Sequence, residues 1–209
     1  SKRQVLFGDV RSDNVTGTTY EDSKIYMNAL MYNISDTSWE PFYTCISRCN
    51  ICIQKYPTIP NILESEYAPY IGQCYAMRAY LYFWGTRAWG KMPIITEPWD
   101  GSLNNIAVPR SSLEKVKEQI LSDIESAIGY FNISDTSDKF YLGKDAMYAL
   151  LTEVYMWYNE YQEALKASDH FIDHNTLTLS NGEVEWKNIF TNPSGSEGGV
   201  FAMGGSYET

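Results

Sequence analysis

The chain has 209 residues, 44% hydrophobic and 20% charged, with 26 acidic against 16 basic side chains and a net charge of −10. That length suffices for one sizeable core or two small ones. An acidic chain with no basic patch is repelled by phosphate backbones and anionic headgroups, which argues against nucleic-acid or peripheral-membrane binding. No apolar run reaches the ~18 residues of a spanning helix. The opening SKRQVLFGD has no apolar core of a signal peptide, so any leader of an exported form is already gone. Tyrosine is abundant, at 17 residues, alongside 6 Trp; such rings cover half-buried helix surfaces or form platforms for sugars and peptides.

Residues 1–38 read as a leading segment and aromatic loop. Val5-Leu6-Phe7-Gly8-Asp9 and Ser12-Asp13-Asn14 precede Thr and Gly punctuation, and Tyr20 to Asn33 is a short helix or an irregular loop. A helix is expected from about Trp39 to Tyr56, with Pro41 early, where a missing donor costs little, and Pro57 as its stop. The next helix, about Glu64 to Ala88, is the centre of the chain. Ala76, Met77, Ala79, Tyr80, Phe83 and Trp84 give it an apolar face too wide for one neighbour. Gly85 interrupts it at a cost of ~1 kcal/mol, and Trp89-Gly90 breaks it into a proline-bounded extended run to Pro98.

After a polar connector, Ser111-Ser112-Leu113-Glu114 reads as a capping box opening a helix to about Phe131, with Leu113, Val116, Ile120, Ile124, Ala127 and Ile128 in helical period. Asn132 to Ser137 repeats the hexapeptide NISDTS of residues 33–38, a coincidence of turn-formers. Lys144 to Tyr158 and Tyr161 to His174 are helices joined by Asn159-Glu160, a link so short that it requires an antiparallel hairpin. Residues 175–209 read as short extended pieces. The expected class is all-α: antiparallel helix pairs, 39–56 with 64–88 and 144–158 with 161–174, in a tetratricopeptide-like superhelical stack with irregular loops and a few short strands.

Cys45-x3-Cys49-x2-Cys52 has the spacing by which radical S-adenosylmethionine enzymes hold a cubane cluster. Here the three lie on one face of a helix beside Phe42, Ile46 and Ile53, which favours buried thiols, and Cys74 sits on the partner helix. His170 and His174 are one turn apart, yet Phe171 stands where a zincin needs Glu, and a solvated helix end is the simpler reading. No nucleophile elbow, phosphate-cradling loop or Cys/His pair is seen. Arg78 and Arg87 read as structural cations satisfying carbonyls or carboxylates within the stack. No enzyme activity, cofactor or metal is expected.

Arg78-Ala-Tyr-Leu-Tyr-Phe83, Arg87-Ala-Trp-Gly90 and Pro93-Ile-Ile-Thr-Glu-Pro98 together resemble the signature of the SusD/RagB family, outer-membrane nutrient-binding lipoproteins of Bacteroidetes. Ser12-Asp13-Asn14, the series Trp39, Tyr43, Ile46 and Asn50, then Pro109-Arg110, Asp123-Ile124-x2-Ala127 and Gly143 to Ala164 extend the resemblance. Trp186, Ile189, Phe190, Val200 and Phe201 carry it almost to the end. It implies a binding protein held on the cell surface at the outer membrane by a lipid anchor absent from this chain. Its implied role is to capture oligosaccharides or other nutrients for a SusC-like TonB-dependent transporter. Family members are roughly twice as long or more, so the chain looks like one SusD-like helical domain, 1–209, without the family's C-terminal portion. Ligand contacts in the family cluster after the Ser-Asp turn, which points to Tyr20, Tyr26, Tyr32 and Asn33. The cysteines fall where the family places small or aliphatic residues. An interaction scaffold that binds protein and no glycan is the alternative.

Overall fold

The structure, a computed structural model, describes residues 27, 38–101, 107–136, 138–173 and 182–192. Among these the regular elements are helices: α1 (Glu40–Lys55), a short 3-10 turn (Tyr56–Thr58), α2 (Glu64–Trp89), α3 (Leu113–Ile133), α4 (Lys144–Trp157), α5 (Tyr161–Asp173) and α6 (Glu183–Thr191). The all-α expectation holds, and no strand occurs among the described residues. Residues 183–191, expected to be extended, form α6 instead, with Gly182 entering it at a φ of 104° that favours glycine.

The chain divides into two compact units, Ser1–Cys45 and Ile46–Thr209, the boundary falling inside α1. In the first unit Trp39 and Phe42 pack against Tyr43, at centroid distances of 5.8 and 5.3 Å. The second unit holds the helical array. Asn50 meets Arg78, and Tyr56 stacks on Tyr70; advancing along α1 means retreating along α2, so the two are antiparallel. The same test makes α3 antiparallel to α2, through Arg78–Asp123 and the stacked pair Tyr75–Tyr130. In the α4–α5 hairpin His170 lies against Asp145 and Tyr148, and Asn159 makes the turn with φ 61°, a left-handed value that Asn tolerates well.

α2 is buried on several sides at once. Adjacent residues Tyr82-Phe83 and Gly85-Thr86 are all inside, which one apolar stripe could not achieve. Gly85 does not interrupt this helix; it is a buried member of it. At Gly72 a Cβ would sit 2.6 Å from the Phe131 ring, so glycine there lets α3 come close. Gly90 ends α2 with φ 74°, its amide donating to Thr86 O at 2.9 Å. On α3, Val116, Ile120, Ile124 and Ala127 are buried as their spacing predicts. The cap, however, is Ser112, whose hydroxyl accepts from Lys115 N at 3.3 Å, one residue later than a box closed by Ser111 and Glu114. Between α3 and α4, Asp135 accepts from the Lys144 amide and so caps α4 from the preceding loop. Gln73 of α2 exchanges hydrogen bonds with the Leu142 backbone, donating to its carbonyl and accepting from its amide at 3.0 Å.

Candidate functional site

Where α2 gives way to the extended run, the chain must be held without helical hydrogen bonds. Tyr82, fully buried, does this from within α2: its hydroxyl accepts from Ile95 N at 2.7 Å and donates to Ile95 O at 3.0 Å. Burial pushes the phenol up to about 12, from 10.0, so it stays a neutral donor and acceptor. Asn50 of α1 adds a second clasp, its amide donating to Ile95 O at 3.0 Å and Glu97 O at 3.3 Å.

Behind that run lies a buried cation. Arg78 donates from Nε and Nη2 to the two carboxylate oxygens of Asp123, at 2.8 and 2.6 Å, and from Nη1 to Asn50 Oδ1 at 2.6 Å and Thr96 O at 3.3 Å. Gln119 donates a further bond to Asp123 at 2.9 Å. Burial pushes the Asp123 carboxyl upward against the pull of Arg78. Burial alone would lower Arg78, but the Asp123 contacts together with Tyr75 and Tyr82 carry it upward. The geometry favours the ionised pair, since each charge has several hydrogen-bond partners. Its outer side faces a cleft of about 380 Å³ between α1, α2, α3 and the 96–98 segment, walled on one side by Tyr75.

The two arginines are structural, as read. Arg87 pairs with Glu153 at 2.6 Å, and its guanidinium lies 4.1 Å from the Phe83 ring centroid. His170 departs from the solvated reading. It is buried, its Nε2 2.7 Å from Asp145 Oδ1 and its ring stacked on Tyr148 at 3.8 Å. His174 lies outside the described residues. Cys49 is buried while Cys45, Cys52 and Cys74 are half-buried, and no group of three or more His, Cys, Asp or Glu among the described residues could hold a metal ion. Tyr20, Tyr26, Tyr32 and Asn33, the expected ligand contacts, also lie outside the described residues. Sequence reasoning placed Asn50 and Asp123 only as parts of a resemblance. Their convergence on Arg78 was signalled by one thing, a polar side chain standing among apolar positions of each helix.

Residues 2–156 match a family model, SusD-like_3, described as starch-binding and associating with the outer membrane. The chain belongs to the SusD-like family. A SusD-like protein of Formosa agariphila is 31% identical over 195 residues, 91% of this chain and 38% of the relative. The chain therefore spans well under half of that relative's length. Among solved structures, Bacteroides fragilis NanU aligns with a TM-score of 0.79 at 22% identity, over 97% of this chain and 43% of that one. A laminarin-binding SusD-like protein aligns at 0.62 and 27% identity, over 70% and 32%. The stretch from Arg78 to Pro98 spans the end of α2 and the extended run that Tyr82, Asn50 and Arg78 hold. No helix among the described residues is long and apolar enough to cross a membrane.

Proposed function

We propose that this protein is a cell-surface glycan-binding protein of the outer membrane, lipid-anchored, which passes oligosaccharide to a SusC-like TonB-dependent transporter and performs no bond chemistry. The observation that carries the reading is the match of residues 2–156 to a family described as starch-binding and associating with the outer membrane. The laminarin-binding relative supports glucan-type ligands. The rings of Tyr20, Tyr26 and Tyr32 supply stacking faces and Asn33 supplies hydrogen bonds to hydroxyls, a division of labour that suits sugars.

Affinity electrophoresis and calorimetry with starch and laminarin test the proposal. Binding by the intact protein that is lost when Tyr20, Tyr26 and Tyr32 are all changed to Ala supports both function and site. Binding that survives all three changes at undiminished affinity removes the site. Absence of binding to any glycan, with a transporter or other protein still co-purifying, favours the scaffold reading, to which the antiparallel helix pairs lend themselves.

A further inference from the structure

The cleft outside the Arg78–Asp123 pair has a lining of definite chemical character. At about 380 Å³ it falls within the range of small-ligand sites, roughly 300–1,000 Å³. Its floor is set hard. Asn50, Arg78 and Asp123 are each under 5% exposed and bonded to one another. Its Tyr75 wall is held by stacking on Tyr130 at 5.9 Å and by the Arg78 guanidinium 5.2 Å from the ring centroid. Such a floor is preorganised and loses little freedom on binding.

Charge selects the ligand class. The Arg78 nitrogens already point at Asp123, Asn50 and Thr96, so an anion finds no open guanidinium and meets the Glu97 carboxylate at the rim. The positive charge of Arg78 is matched by Asp123, and the Glu97 carboxylate in the lining can accept hydrogen bonds from hydroxyls. The lining also offers neutral hydrogen-bonding groups: the amides of Gln54 and Gln119, the latter already giving one bond to Asp123, and the hydroxyls of Ser122 and Ser126, the latter donating to Ser122 O and keeping its lone pairs. We infer that this cleft is a second saccharide subsite, taking one uncharged hexose-sized unit beside the Tyr75 ring. The inference rests on the glycan-binding reading above.

Saturation-transfer NMR on the intact protein tests it, with methyl glycosides of glucose, galactose and mannose at millimolar concentration as probes. The wild type and the Tyr20, Tyr26, Tyr32 triple-Ala variant should transfer saturation to the ring protons of at least one glycoside. Ser122→Trp, a change at an exposed position of α3, should fill the mouth and remove the signal while the thermal melt stays unchanged. Transfer that survives Ser122→Trp overturns the subsite. So does absence of transfer from all three glycosides in a protein that still binds starch or laminarin, a result that leaves the proposed function standing. Loss of monosaccharide and polysaccharide binding together overturns both.

Discussion

Arg78 and Asp123, forty-five residues apart in sequence, form a two-point ion pair with their side chains 5% and 1% exposed. The pair joins α2 to α3, and through Asn50 and Thr96 it also reaches α1 and the extended run. Removing either partner alone leaves a buried charge without compensation. Arg78→Met or Asp123→Ala should therefore each cost about 3–5 kcal/mol in urea denaturation. The double change Arg78→Met with Asp123→Leu should recover much of that loss. Single variants as stable as the wild type would show that the pair is dispensable.

Tyr82 is the second fastening of the same run. Tyr82→Phe leaves the amide of Ile95 without its partner, while the Ile95 carbonyl keeps its bond from Asn50, at a cost of about 1–3 kcal/mol at neutral pH. The pH dependence has a fixed sign. The folded phenol keeps its proton to about 12, against 10.0 in the unfolded chain. Between those values the native state binds more protons, so stability falls as pH rises through that window. In Tyr82→Phe that part of the alkaline slope should vanish, which denaturation midpoints measured across the window would reveal.

Gly72 sets how closely α2 and α3 approach. An alanine Cβ there lies 2.6 Å from Phe131 Cε1, so the ring must shift. Overpacking of this kind costs about 1–3 kcal/mol, against a helix-propensity gain of about 0.5–1 kcal/mol. Gly72→Ala should be destabilising by about 1 kcal/mol on balance, and Phe131→Leu in the same chain should relieve it. A melting temperature equal to or above that of the wild type would refute the steric account.

At the start of α3, hydrogen bonds from its own amide and from the Ser112 hydroxyl hold the Glu114 carboxyl below its ordinary value of 4.5. A group depressed in the folded state contributes stability above its unfolded pKa and loses it as pH falls through the folded one. A carbon-detected NMR titration should place Glu114 below 4.5. Ser112→Ala should move it upward; an unmoved midpoint would mean that the hydroxyl contributes nothing.

The helices were legible wherever apolar period and end signals agreed. α2 begins at Glu64 as expected and runs one residue past the expected Ala88, to Trp89, because Gly90 can take the positive φ of 74° at which the helix ends. The α4–α5 hairpin follows from the two-residue link. The misreadings have local causes. The pattern from Ser111 to Glu114 points one residue short of the cap because Ser111 and Ser112 are chemically equivalent, and only the backbone at Ser112 turns its hydroxyl toward the Lys115 amide. Gly85 looked like a defect because propensity ignores burial. His170 looked solvated because its partners Asp145 and Tyr148 belong to the other helix of the hairpin.

By itself the sequence determined the helices from α1 to α5, the break at Gly90 and the family, because period, caps and an ordered set of short motifs are all local properties. Tertiary structure alone decided what the signature from Arg78 to Pro98 is for within the fold. Arg78 needs Asp123 and Asn50, and Tyr82 needs Ile95, to hold an extended run against helices that cannot offer it a backbone ladder. Buried polar groups must be paired, but no spacing rule says with whom. Packing brought residues 50, 78 and 123 together, and the cleft they floor exists only because three helices meet there.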